Sequence, residues 1–434
     1  MERIKTYCLY VVGFYVVYSP ELFLRFGVPS QVIIGFIGML MLVSLFLKKI
    51  LAKRVSPFLS REVQVVFLCI LLNAAYLLLI SMQNGYQNRF LQNVYIIIQI
   101  FTWTYLLNRY HIRLNNKYSL FQNAILFLAN LAMIQAVFCI IMLILPSTKQ
   151  IALQLYYLGR EENIFISGMR IYGISGDYTF FTPIYHGLLG VCLLWLSMIK
   201  NSKYLLYLPF IFLVIILNGR TGLVIFFIGA VMMLLLLLIN NPNYIGKSLL
   251  YLLIIGSFTW ASLMVIKIAS PNTYQWFMLM VGDIANLFGD NVKTGNIAAL
   301  SNSFVLPSGF DLIFGLGTRV IGGTASNILL PRSDIGYIND IYLGGLIYIV
   351  LQYGSILLYT LSNLNKRNDF ISVNDKASFD LRRLDLLPFT LFVLVLIGNY
   401  KGELMRSGIP LVFLVVVKNL IIMSERRKHF GERA

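Results

Sequence analysis

Two short runs bring fixed positive charge, carboxylates and turn residues close enough together to do chemistry. The first is Asn218-Gly219-Arg220-Thr221-Gly222, a tight connection between two apolar stretches. Thr221 is placed to cap the helix that follows, which leaves backbone N–H groups and the positive end of the helix dipole facing outward. Arg220 sets a rigid fork of donors beside them, and a helix N-terminus joined by an arginine suits a phosphate. The same residues also read as a plain turn whose arginine reaches the membrane surface. Spacing alone leaves both readings open. The second run is Arg332-Ser333-Asp334-Ile335-Gly336-Tyr337-Ile338-Asn339-Asp340. Asp334 or Asp340 is placed to act as a general base, and either is also a suitable N-cap. Arg319, in Gly-Leu-Gly-Thr-Arg, is a candidate to join it. A looser third group holds Arg160-Glu161-Glu162, Arg170, Gly176-Asp177-Tyr178 and His186. A single histidine at a helix start more often serves as an internal hydrogen-bonding group than as a catalyst, and the tyrosines around this loop suit membrane-interface anchoring.

The elements that must position these residues follow from composition. The chain has 434 residues, 58% hydrophobic and 12% charged, with a mean hydropathy of +0.77. An ordinary soluble domain carries about 45–50% apolar and about 25% charged residues, so a soluble enzyme is excluded. Spans need about 20 apolar residues each. About twelve segments qualify: roughly 5–23, 30–47, 63–82, 92–108, 120–146, 184–199, 204–217, 222–239, 248–270, 340–363, 385–400 and 409–423. No alternating ten-residue pattern suggests a barrel. The expected fold is all-α: one polytopic transmembrane domain over 1–434. Its first helix, led by Arg3 and Lys5, is read as uncleaved because no small-x-small site follows.

The formal charge is +17, from 35 Lys+Arg against 18 Asp+Glu. On a soluble protein that balance would suggest nucleic acid. Here the basic clusters (Lys48-Lys49, Lys53-Arg54, Arg382-Arg383, Arg426-Arg427-Lys428) fall on one side if the spans alternate. Lysine and arginine excess marks the cytoplasmic side, so both termini are expected there. Two long loops, about 147–183 and about 271–339, then lie outside, and long ordered loops are usually functional. Thr273 to Phe288 within the second reads as an interfacial or buried helix. Cys8, Cys69, Cys139 and Cys192 all lie in apolar segments, and no zinc spacing or nucleotide-binding motif occurs. Carboxylates are nearly absent from the spans, which favours an outward-facing site over a coupled translocation path.

Three stretches then carry a likeness: Asn218-Gly219-Arg220-Thr221-Gly222-Leu223 opening a long apolar helix, Ser333-Asp334-Ile335-Gly336-Tyr337-Ile338, and Tyr342-Leu343-Gly344-Gly345-Leu346-Ile347-Tyr348. With the whole-chain layout, they resemble the O-antigen polymerases, the Wzy group of bacterial polysaccharide polymerases, related to the O-antigen ligases. The resemblance implies a membrane glycosyltransferase of lipopolysaccharide biosynthesis in the bacterial inner membrane. It would move a growing glycan from undecaprenyl diphosphate to the non-reducing end of an incoming lipid-linked repeat unit, at the periplasmic face, with no metal or cofactor. Its partners would be lipid-linked oligosaccharides and membrane lipids, with a chain-length regulator and a flippase of the same pathway, and no nucleic acid. Arg220 would bind the diphosphate with Arg170, Arg319 and Arg332. Asp177 and Tyr337 would contact substrate. Asp334 or Asp340 would act as base, with His186 behind them. The chain departs from the ligases in having no histidine in Ile338-Asn339-Asp340. It also lacks the Arg-x10-Gly motifs of some polymerases, since Phe181 and Leu330 occupy the glycine positions counted from Arg170 and Arg319. A lipid-linked oligosaccharide flippase and an O-antigen ligase are the alternatives.

Overall fold

The computed structural model describes residues 2–52, 57–84, 89–114, 118–157, 169–176, 180–240, 245–287, 304–317, 324–325, 328–329, 333, 335–362, 376–406 and 408–431. Among these the chain is helical, apart from a short ladder in which Thr324 pairs with Leu329 and Ala325 with Ile328. The helices are α1 (Glu2–Tyr18), α2 (Ser30–Ala52), α3 (Arg61–Asn84), α4 (Phe90–Arg113), α5 (Leu120–Ile144), α6 (Pro146–Tyr157), α7 (Phe181–Ile199), α8 (Leu208–Asn218), α9 (Thr221–Asn240), α10 (Ile245–Ala269), α11 (Pro271–Leu287), α12 (Phe310–Phe314), α13 (Gly336–Leu361), α14 (Lys376–Asn399) and α15 (Ile409–Gly431).

Seven of these are long and apolar enough to cross a bilayer: α2, α3, α4, α5, α7, α10 and α13. The chain is therefore a multi-pass membrane protein. Shorter apolar helices occupy Ile4–Tyr18, Ser202–Asn218, Thr221–Leu236 and Leu386–Asn399, and α15 carries Lys418 within its apolar part. A count of about twelve spans requires these shorter helices to cross too. The helix expected near 273–288 is present as α11, at 17 residues. Large exposed side chains such as Phe36, Met39 and Phe46 on α2 suit a lipid-facing surface.

The chain separates into two compact units, Met1–Ile37 with Tyr105–Gly282 and Gly38–Thr104 with Asp283–Ala434. In the first, α7 is buried over almost its whole length. Lipid supplies no hydrophobic drive between helices, so close approach through small residues has to do the work. A Cβ added to Gly187 would stand 2.5 Å from the Gly222 carbonyl oxygen, and one on Gly190 would stand 2.8 Å from the Phe226 ring. A Cβ at Gly222 would overlap the Pro183 carbonyl. These glycines let α7 and α9 touch backbone to backbone, while Phe212 and Phe226 meet edge to face at 4.8 Å. The start of α5 is closed by a reciprocal capping box between Ser119 and Gln122.

In the second unit α13 is broken at Gly345, whose φ of 64° and ψ of −167° lie outside the helical region. The break frees the carbonyls of Tyr342 and Leu343. They accept from the Leu316 and Gly317 N–H groups at 2.7 and 2.9 Å. Irregular backbone at membrane depth must be satisfied by protein in this way. The Gly315-Leu316-Gly317 half of the Gly-Leu-Gly-Thr-Arg run is thus a docking strip for the break, and a Cβ on Gly315 would meet the Gly345 nitrogen at 2.5 Å.

Gly222→Val should cost about 3 kcal/mol or more, because backbone on the facing helix cannot move aside. Gly256→Ala in α10, with open space around it, should be neutral or slightly stabilising. The fraction of monodisperse protein on mild heating in detergent reads the difference.

Candidate functional sites

The first site lies in the first unit and is built on Gln135. Its side chain donates to the Tyr172 carbonyl at 2.8 Å and accepts from the Ile174 N–H at 3.2 Å. The same strip is tied by Gly176 N–H to the Tyr18 carbonyl at 2.9 Å and by Ile171 N–H to the Leu217 carbonyl at 2.8 Å. Gly173, at φ 58°, supplies the left-handed turn that lets the strip close over Gln135. The Leu217 bond brings Arg170 beside the Asn218-Gly219-Arg220 turn.

Both guanidiniums pack over one indole. Arg170 and Arg220 each place Cζ 4.8 Å from the centre of the Trp276 ring, and Arg220 Nη1 also donates to the Trp276 carbonyl at 3.1 Å. Each cation–π contact contributes about 0.5–2 kcal/mol. The two charges also oppose each other. Burial pulls the Arg170 guanidinium down to about 10, and the Arg220 charge adds to the effect. Arg170 therefore remains charged near neutral pH, in a place that favours an added anion. Next to Arg220, the Asn218 amide is fully buried, and neither its Oδ1 nor its Nδ2 has a hydrogen-bond partner among the described residues. Buried polar groups are ordinarily satisfied, so an unpaired amide two positions before Arg220 in the chain suits a polar ligand.

The turn itself differs from the expectation in one respect. Thr221 is the first residue of α9 rather than its cap, with the Gly219 and Arg220 carbonyls accepting from Gly222 and Leu223 at 3.2 and 3.1 Å.

His186 is in the same unit, fully buried in α7. Its Nδ1 lies 2.8 Å from the Thr182 carbonyl and its Nε2 lies 3.0 Å from the Tyr18 hydroxyl. A carbonyl only accepts, so Nδ1 carries the proton and a neutral ring accepts from Tyr18 at Nε2. Both ring nitrogens are thus engaged inside the fold, with Tyr18 also stacked on the ring at 5.7 Å.

The second site lies in the second unit. Asp340 is fully buried in α13, one turn inside the helix; the N-cap is Ile335, whose N–H donates to Ser333 Oγ. Asp340 therefore does not cap this helix. Tyr353 donates its hydroxyl to Asp340 Oδ2 and accepts from Asn399 Nδ2 at 2.7 Å. Asn399 Oδ1 accepts from the Met405 N–H, and Gln352 Nε2 donates to the Met405 carbonyl. Arg406 is also fully buried, with Nε 3.6 Å from Asp340 Oδ1 and Nη2 in an ion pair with Glu403. Two carboxylates and one guanidinium are therefore buried together, a combination able to hold or move a proton. Tyr337 packs its ring 5.9 Å from that of Tyr353 and donates to the Leu396 carbonyl.

The expected site residues thus divide. Arg170 and Arg220 come together. Asp340 and Tyr337 share one cluster. His186 is locked within its helix layer. Asp177, Arg319, Arg332 and Asp334 lie outside the described residues. Sequence reasoning missed Trp276, Asn218 as a ligand group, Tyr353, Asn399, Glu403 and Arg406. The available signal for the last pair was a Glu-x-x-Arg spacing in the short connection between α14 and α15. No group of three or more metal-ligating side chains occurs among the described residues. No family model, no curated protein and no solved structure matches the chain.

Removing Arg406 alone leaves buried carboxylates uncompensated, so Arg406→Met should destabilise by about 3–5 kcal/mol. The triple variant Arg406→Met, Glu403→Gln, Asp340→Asn should recover much of that loss. Thermal unfolding in detergent measures both.

Proposed function

We propose that the chain is an O-antigen-type repeat-unit polymerase, a glycosyltransferase acting on lipid-linked oligosaccharides in the bacterial inner membrane, with about twelve spans and its chemistry at the periplasmic face. The observation that carries this reading is the pair of guanidiniums, Arg170 and Arg220, packed over the one indole of Trp276. A diphosphate bears charge enough for both cations, and a sugar hydroxyl or phosphate oxygen suits Asn218.

In the reaction, the bond between the anomeric carbon of the growing glycan and its diphosphate breaks. A bond forms from the acceptor hydroxyl oxygen to that carbon, the hydroxyl proton passes to a base, and the lipid diphosphate leaves. Charge grows on the leaving diphosphate, so fixed cations stabilise the transition state more than the ground state. Arg220 and Arg170 take that role. Asp334 or Asp340 stays the base that the resemblance implies; within the second unit the Asp340 carboxylate accepts from Tyr353.

A second reading is a flippase for the same lipid-linked oligosaccharide. It is favoured by the broken helix α13 and the buried Asp340, Glu403 and Arg406, since transporters place buried charges and discontinuous helices at their substrate paths.

Deletion of the gene separates the two. A polymerase deletion should leave surface polysaccharide as core plus a single repeat unit, whereas loss of a flippase or a ligase should leave bare core. In the complemented strain, Arg220→Ala should abolish the ladder at unchanged membrane level, a loss on the order of 100-fold or more. Asn218→Ala should shorten it. Asp340→Asn should abolish chain extension if Asp340 is the base, and a normal ladder from that variant would remove it from the mechanism.

A further inference from the structure

At the opposite end of α7 from the Arg220 turn, the first unit carries an open groove of about 680 Å³. One wall is the first half of α5 and the other is the connection from α7 into α8. The mouth is basic. Lys200 immediately follows α7, and Lys203 is the second residue of the 3-10 turn Ser202–Tyr207, held there because Asn201 Oδ1 accepts its N–H at 2.9 Å. Both lysines are exposed, and no carboxylate occurs among the described lining residues. Deeper in, the walls turn apolar with Leu126, Met133 and Phe210.

The depth of the groove can be read from the spans. One candidate span begins at Leu120 and another ends at Ile199, so Lys200 and Lys203 stand at a water–hydrocarbon boundary. Met133 lies thirteen residues along α5 from Leu120, about 20 Å at 1.5 Å per residue. That is slightly more than one leaflet of a hydrocarbon core about 30 Å thick. Tyr204 and Tyr207 line the mouth at the level where tyrosines anchor to headgroups. Tyr207 is fixed by donating to Asn130 Oδ1 at 3.2 Å, and Asn130 in turn donates to Tyr10. Positive charge at the boundary and an apolar trough one leaflet deep together describe an anionic headgroup with an acyl chain.

We propose that this groove binds one acidic diacyl phospholipid, its phosphate against Lys200 and Lys203 and one acyl chain along Leu126, Met133 and Phe210. The site is separate from the proposed diphosphate site and does not depend on the polymerase reading. Two lysines near an anionic headgroup favour it over a zwitterionic one by roughly tenfold or more.

The test reconstitutes the full chain into vesicles of phosphatidylcholine with a minority of phosphatidylglycerol, extracts it in mild detergent and weighs the retained lipid by native mass spectrometry. The wild-type chain should keep a phosphatidylglycerol in preference to phosphatidylcholine by about tenfold. Lys200→Gln with Lys203→Gln should lose the preference. Met133→Trp fills the trough and leaves both lysines in place; it should lose the retained lipid while remaining monodisperse. Retention that mirrors the bilayer composition would overturn the proposal, as would unchanged preference in the double lysine variant. Release of the lipid by millimolar inorganic phosphate would assign the lysines to the free anion and overturn it too.

Discussion

A charge inside a helical membrane protein must bring its partner with it, because lipid offers none. In the second unit that requirement organises three elements. Asp340 sits in α13, Arg406 and Glu403 sit in the connection between α14 and α15, and Tyr353 with Asn399 bridges α13 to the end of α14. Gln352 extends the network to Asn73 on α3, with Asn73 Nδ2 donating at 2.9 Å. The break at Gly345 obeys the same rule for backbone, since the freed carbonyls are met by Leu316 and Gly317. Polar satisfaction, more than apolar packing, specifies which helices of this unit must be neighbours.

The first unit applies the constraint in a different way. Gln135 is a buried amide on an apolar helix, and it spends both ends of its side chain on the backbone of 172–174. That fixes a strip which would otherwise be a loose connection. The strip presents Arg170 to the same indole as Arg220. A pair of like charges on one ring is stabilised by the π-face, while each charge opposes the other. His186 illustrates the opposite outcome: with Thr182 and Tyr18 on its two nitrogens, it holds α7 to α1 and keeps no free polar atom for substrate.

Much of this architecture was legible before any coordinates. Apolar length marked the helices: each segment coincides with a helix among the described residues, though the first ends at Tyr18 rather than at 23 and the 204–217 segment opens as a 3-10 turn, and the stretch from Thr273 lies in α11. The Arg220 turn was found from a glycine-flanked arginine between two apolar runs. The Asp340 cluster was only half visible. Its carboxylate was found, but Arg406 and Tyr353 were not, because residues 66 and 13 positions away carry no mark in the sequence of facing the same point. Trp276 was hidden for the same reason: an aromatic on an interfacial helix looks like a membrane anchor until two arginines are seen against it.

The sequence by itself determined what local chemistry can determine: where hydrocarbon-compatible helices run, where turns interrupt them, and which turns carry charge. These depend on apolar length and residue type over short windows, so they survive without knowledge of neighbours. The tertiary structure decided which polar groups are shared. That Gln135 closes the 170–176 strip, that Arg170 joins Arg220, and that Asp340 belongs with Arg406 and Tyr353 are all consequences of long-range pairing. A buried polar atom is indifferent to distance along the chain and demands only a partner within hydrogen-bonding reach.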